Sequence, residues 1–312
     1  MSAAVVLLFV IGTAAIVWSA CFVGCTFHPG AAPVVEFFGF ENTLINTPGL
    51  VAYWPLNDTS GTAAVDLGPN QFNGTYTMGP VVPTYDAANQ SDASPGTFAL
   101  NQPNIVPGDA GTSPGTPPVL SPCVAFNGGF VSVPFHPELG PPLPAQFTIE
   151  VWVVPNWTLN DAQTNPSFRS VVASAAPTSG TFSGFAILAT PANLWAAAIG
   201  IGSQDVFATT SSNQTIVQNS LYFLVMTYDG STLKLWVNPA DTTQGADASA
   251  AASGFVPVPS PVPLVIGTGR PDLPSPLFPF NGSIQDVAFY NVVLDDKTIE
   301  THYMNGMSLQ MT

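Results

Sequence analysis

The side chains able to do chemistry in this chain are few and scattered. Nineteen carboxylates stand against four cations, Arg169, Lys234, Arg270 and Lys297, with three histidines and three cysteines. Hydrolysis of a glycosidic bond needs two carboxyl groups on one surface, one as acid and one as nucleophile or base. On a strand, positions i and i+2 share a face and would supply such a pair. No two acids in this sequence stand two apart. His28, His136 and His302 lie far apart in unlike contexts, with no neighbouring nucleophile and no zinc-type spacing. Cys21 and Cys25 would share a helical face without disulfide geometry, and two thiols alone make a poor metal site. Cys123 stands alone in a strand, and all three cysteines read as small buried or lipid-facing hydrophobes. No phosphate-binding glycine loop precedes a helix. The sequence reads as non-enzymatic.

The elements that must position these groups are mostly strands. The 312 residues are 46% hydrophobic and 7% charged, where a typical soluble domain has about 25% charged residues. Twenty-one Phe, six Trp and seven Tyr supply core material, while 32 Pro and 27 Gly punctuate short strands and long connections. A net charge of -15 excludes nucleic acid, which needs a basic surface, and repels anionic headgroups. In Phe147-Thr-Ile-Glu-Val-Trp-Val153 the apolar positions alternate with Thr148 and Glu150, as in a half-buried strand, and Glu150 reads as a core or rim residue. Tyr228 to Trp236 reads as a hairpin turning at Asp229-Gly230. Further strands are expected at 50–56, 123–126, 130–133, 169–173, 184–189, 195–201, 205–209, 221–228, 233–237, 262–266 and 283–290, and one helix from Asp295 to Tyr303. This pattern predicts an all-β fold, a two-sheet antiparallel jelly-roll sandwich.

The first 27 residues carry no charged side chain. As a helix, Ala3 to Cys25 would reach about 35 Å, enough for a hydrocarbon core of ~30 Å. Leu7, Leu8, Phe9, Ile11, Ile16, Trp18 and Phe22 would contact lipid, the last aromatics near an interface. A cleaved signal peptide predicts a basic start and a shorter apolar run, so a retained transmembrane helix over 1–27 is expected. A connector follows at 28–48, with Phe37, Phe38 and Phe40 docking on a neighbour, then the sandwich at 49–304 and a tail at 305–312. Within the sandwich, 79–122 is dense in Pro, Gly, Asn, Ser and Asp and is expected as one long surface loop. Export of the C-terminal domain to the extracytoplasmic side, periplasmic or extracellular, completes the expected single-pass arrangement.

Three segments carry a family resemblance. Gly49-Leu-Val-Ala-Tyr-Trp-Pro-Leu-Asn-Asp-Thr-Ser-Gly61 continues to Asp66 and Asn73-Gly-Thr-Tyr76. Phe147-Thr-Ile-Glu-Val-Trp-Val-Val-Pro155 is the second, and Phe280-Asn-Gly-Ser-Ile-Gln-Asp-Val-Ala-Phe-Tyr-Asn291 with the closing helix is the third. In this order they resemble the laminin-G-like branch of the concanavalin-A-like lectin/glucanase superfamily. The resemblance implies two stacked antiparallel sheets and a binding role towards sugars or proteins. Glucanases of that superfamily carry Glu-x-Asp-x-Glu on one strand face, which this chain lacks. Relatives that hold Ca²⁺ at a sandwich rim imply Asp58, Asp66, Asn70 and Asp286 as oxygen donors for calcium. The other reading of Asp58, Asp66 and Asn70 is turn capping through Asx hydrogen bonds.

Two functions follow as expectations. One is a non-catalytic accessory subunit of a larger membrane complex, respiratory or photosynthetic by analogy, anchored in lipid through 1–27 and contacting other subunits. The alternative is a cell-surface or virion lectin, with Trp157 or Trp195 exposed to stack on carbohydrate. Asn-x-Ser/Thr sequons at Asn57, Asn73, Asn89, Asn156, Asn213 and Asn281 add surface sites if the source glycosylates.

Overall fold

Alternating hydrophobic strands can only bury their apolar faces by stacking, and they do so here as two eight-stranded sheets. In a computed structural model of the chain the described residues are 9–11, 14–16, 40–79, 81–83, 93–111, 119–140, 145–164, 166–177, 182–269 and 278–308. They divide between two units, Met1–Glu36 and Phe37–Thr312.

In the first unit, Phe9–Ile11 and Ala14–Ile16 pair as an antiparallel ribbon. Phe9, Ile11 and Ile16 are thus on strands and not on the expected membrane helix. Val10, Ile11 and Ile16 are β-branched, which favours extended backbone. The other anchor positions, Leu7, Leu8, Trp18 and Phe22, lie outside the described residues, as do Cys21, Cys25 and His28. Among the described residues no helix is long and apolar enough to cross a membrane.

The second unit opens with helix α1, Phe40–Ile45, inside the stretch read as a connector. Its strands in chain order are β1 Leu50–Trp54, β2 Ala63–Ala64, β3 Gly74–Thr77, β4 Thr97–Gln102, β5 Cys123–Asn127, β6 Phe130–Val133, β7 Phe147–Pro155 and β8 Arg169–Pro177. After these come β9 Phe182–Ala189, β10 Trp195–Gly200, β11 Asp205–Thr209, β12 Tyr222–Tyr228, β13 Thr232–Val237, β14 Ala248–Ala251, β15 Leu264–Ile266 and β16 Asn281–Tyr290. Helix α2, Leu159–Thr164, follows β7, and helix α3, Asp296–Gly306, follows β16.

The first sheet runs β14-β13-β12-β7-β16-β5-β4, and β1 pairs with the far half of β16. The second runs β11-β10-β9-β8-β15-β6-β3-β2. All of these ladders are antiparallel. The segment 79–122 is more than the expected loop, because it supplies β4 at the edge of the first sheet, beside β5. It also holds two short ribbons, Val81–Pro83 with Ala93–Pro95 and Ala110–Gly111 with Val119–Leu120.

The main core lies between the sheets. In β7, Phe147, Ile149, Val151 and Val153 point into it, joined by Trp54, Phe126, Phe185 and Phe289. The opposite side of β7 is buried as well. Thr148, Glu150 and Trp152 are each 0% exposed, where the alternation predicts a half-solvated strand. Phe40 and Leu44 of α1 and Ile299 of α3 supply the covering layer, packing with Tyr53, Trp152, Phe223, Trp236 and Tyr290. Burying these aromatics stabilises the layer by roughly 1.5–3 kcal/mol for each full side chain.

Candidate functional site

The covering layer brings polar side chains from distant segments together on the outer face of the first sheet. Glu150 projects from β7 towards α3, where His302 Nδ1 lies 2.9 and 3.1 Å from its two oxygens. The Tyr290 hydroxyl donates to Glu150 Oε1 at 2.8 Å. On the far side of the ring, His302 Nε2 lies 2.9 Å from Thr47 Oγ1. His302 and Thr47 also line an open cleft of about 370 Å³ between α1 and α3. A hydroxyl, an imidazole and a carboxylate in line is the layout of an acyl-transfer triad.

The Thr47 hydroxyl also donates to Thr43 O at 2.8 Å, while His302 Nδ1 faces the two acceptor oxygens of Glu150, the arrangement of an Nδ1–H donor assigned from the hydrogen bonds. The line works as a brace: it ties the turn after α1, through α3, to the centre of the first sheet. Asn305 Nδ2 adds a 3.1 Å bond to Thr43 Oγ1.

A second polar group lies beside it. Asp286 sits in β16 at φ +53, where the register against β7 shifts between Glu150 and Trp152. Asp tolerates this left-handed region better than most residues. Its Oδ1 accepts from the Tyr53 hydroxyl at 2.6 Å, while the buried Oδ2 has no partner among the described residues. Burial, and then the charge of Asp109, raise its pKa well above the usual carboxylate range. Asp109 and Glu41 are raised too, each mainly by burial. Asp109 Oδ2 accepts from Gln285 Nε2 at 2.9 Å. Burial pushes the Cys123 thiol up to about 11, so it is no ready nucleophile.

The residues implied for calcium do not form one donor set. Asp66 Oδ1 accepts from the Tyr53 and Gly68 backbone N–H groups at 2.7 Å each, and Oδ2 from Phe72 N–H at 2.6 Å. Asn70 Nδ2 donates to Val51 O at 2.9 Å, and Asp58 Oδ2 accepts from the Tyr76 hydroxyl at 2.9 Å. Asp286 is buried on the covered face. Among the described residues no three of His, Cys, Asp and Glu stand close enough to hold a metal ion. Asp66 in particular spends both oxygens on backbone, as an Asx-type turn requires.

The tryptophans expected to stack on sugar are buried instead. Trp157 is 3% and Trp195 1% exposed, and the two pack edge to face. Trp157 Nε1 donates to Asn193 Oδ1 at 2.8 Å, and the Arg169 guanidinium lies 5.0 Å from its ring. His136 stacks on Phe72 at 3.8 Å.

An unanticipated polar surface lies at the end of the first sheet where β4, β5, β16 and β7 meet. Asn127, Asn156, Asn219 and Asn281 line an open cleft of about 420 Å³ there, with Phe98 and Ser283. No lining residue is charged. In the sequence only the sequons at Asn156 and Asn281 mark this place.

Residues 127–300 match the concanavalin A-like lectin/glucanases superfamily. No curated protein matches the chain. Among solved structures, a point mutant of HCR/D aligns with a TM-score of 0.52 at 11% identity, over 82% of this chain and 52% of that one. The botulinum neurotoxin serotype C1 binding domain gives 0.48 at 15%, over 84% and 52%. Trypanosoma rangeli sialidase in complex with sialic acid gives 0.48 at 14%, over 83% and 33%. The chain spans about a third to a half of the length of these structures, and the likeness is one of fold.

Proposed function

We propose a non-catalytic, lectin-like role, binding of neutral carbohydrate, for this chain, which belongs to the concanavalin A-like lectin/glucanases superfamily. Members of a superfamily so described bind sugars or cleave them, and the choice rests on the site and not on the fold. The observation that carries the reading is where the polar groups are spent. The hydroxyl–imidazole–carboxylate line is spent on tying α3 to the first sheet, with Glu150 and His302 both buried, while an open cleft presents uncharged amides. Cleavage needs a carboxyl pair across the scissile bond, and the sequence has no such pair on any one strand face.

A glycan array with the full chain, run with and without Ca²⁺, tests this. Binding to neutral glycans that is indifferent to EDTA is the expected result. Silence under both conditions would reject the reading.

The uncharged stretch Met1–Phe27 supports a location at a membrane, with the sandwich on the extracytoplasmic side as an accessory part of a larger assembly. Retention in the membrane pellet through alkaline carbonate washing, and partners recovered after mild detergent extraction, are the expected outcomes. Release into the wash, or recovery as a lone chain, would count against each in turn.

A further inference from the structure

We infer that the carbohydrate is held in the amide-lined cleft by Asn127, Asn219 and Asn281, an assignment that rests on the lectin-like reading above. Strand register builds the site from four distant segments. Asn127 of β5 lies directly opposite Asn281 of β16. The Asn156 N–H donates to Asn281 O at 2.9 Å, bringing the end of β7 alongside. Asn219 N–H donates to Pro155 O at 2.8 Å, and its φ of +59 turns the chain there. Gly282 forms the floor between β5 and β7. A Cβ at that position would stand 2.2 Å from Val154 O, so a side chain would force β16 and β7 apart.

The amides so placed are not consumed internally. Asn156 Oδ1 accepts a long 3.3 Å bond from Gln218. The side chains of Asn127, Asn219 and Asn281 take part in no hydrogen bond or ion pair among the described residues. Asn127 and Asn219 are exposed, and Asn281 is half-buried. A carboxamide offers two N–H donors and a carbonyl acceptor in one plane. Three of them in an uncharged wall match a ligand that presents donors and acceptors side by side without charge, as vicinal sugar hydroxyls do. Salts and nucleotides find no counter-charge there. The cleft volume of about 420 Å³ falls in the range of small-ligand sites, roughly 300–1,000 Å³. By contrast, the 370 Å³ cleft carries Asp295 and His302, and a third, of about 270 Å³, is lined by Ile45, Leu50 and Leu67.

The test uses the unglycosylated full chain and saturation-transfer NMR against glucose, galactose, mannose, N-acetylglucosamine, maltose and lactose. The double variant Asn127→Ala/Asn219→Gly removes two amides, and glycine suits the positive φ at 219. The wild type is expected to bind at least one sugar, and the variant to lose affinity by about tenfold or more, the loss of about 1.4 kcal/mol of contact. An unchanged melting temperature shows that the variant is folded. If Asn127→Ala/Asn219→Gly disturbs folding, Asn281→Asp alone, which brings a charge into the wall, is expected to weaken the same signal. Sugar binding that both variants leave intact would overturn the cleft and leave the lectin-like reading standing. Silence of the wild type towards all six sugars, together with a silent glycan array, would remove that reading too.

Discussion

The outer faces of the two sheets are built from different chemistry. Under α1 and α3 the first sheet sends up long polar side chains, Glu150, Tyr290, Tyr53 and Asp286, which reach one another or the helices. The buried layer on the outer face of the second sheet is mostly hydrocarbon, with Ser132 and Ser170 beside it. A row of directly paired residues crosses five strands, from the buried Val265, Ala173, Ala186 and Ala198 to the exposed Phe207 at the edge. Phe130, Leu188 and Ala196 extend the same buried layer. The contrast teaches that burial alone does not select residue type. A strand carries a buried acid where helices stand close enough to supply a histidine and a phenol. It carries alanine where the layer is closed by packing alone. Buried polar networks of this kind are costly to break, because each member is left without solvent or partner.

The sharpest way to break the contrast is to remove the acid at its centre. Glu150→Ala leaves His302 and Tyr290 buried without their acceptor, and a loss of about 3–5 kcal/mol is expected in chemical denaturation. Glu150→Gln keeps a carbonyl for Tyr290 and is expected to lose less. On the opposite face Leu188→Ala removes only hydrocarbon, with an expected loss of about 2 kcal/mol, at the low end because Leu188 retains slight exposure. That loss is expected to be the same at every pH. Equal losses for Glu150→Ala and Glu150→Gln would show that the covered face is held by packing, like the other.

Much of the sandwich was legible because alternation is a local signal. The strands at Phe130–Val133 and Asp205–Thr209 fall where the sequence places them. Strand β4 was hidden, since Thr97–Gln102 sits in a Pro- and Asn-rich stretch and gains its place only by pairing with β5. The covered face was misread for a similar reason. Thr148 and Glu150 look like a solvent side until two short helices, one in an apparent connector, close over them. The closing helix from Asp295 was visible; the partner of His302 was not, because Glu150 is 152 residues away. The amide cleft is the extreme case. Its asparagines come from four segments and share no motif, so only register unites them.

Proton uptake sharpens the comparison further. Asp286, Asp109 and Glu41 have raised pKa values in the folded chain. A raised group stabilises the fold below its unfolded pKa, about 4 for a carboxylate, and that contribution is lost as pH rises through the folded value. Urea denaturation from about pH 4.5 to about pH 8 should therefore show the covered face weakening towards the alkaline end. Asp286→Asn keeps an acceptor for Tyr53 without the titration. Its stability curve is expected to be flatter than that of the wild type and to cross above it at high pH. Parallel curves would show that Asp286 does not titrate with folding.

The smallest effect has the opposite sign and lies on the same helix layer. Asp295 caps α3, with Oδ1 accepting from Thr298 N–H at 2.7 Å, and these bonds hold its pKa below the usual value. A lowered group stabilises above its unfolded pKa, and the contribution is lost as pH falls through the folded one. Asp295→Ala is expected to cost about 1 kcal/mol at neutral pH, the usual size of a helix cap, and progressively less below about pH 4. The two aspartates thus separate the exposed rim of the layer from its buried floor by the direction of their pH dependence. A cost for Asp295→Ala that persisted undiminished into acid would mean that its role is steric, and that titration on this face belongs to the buried acids alone.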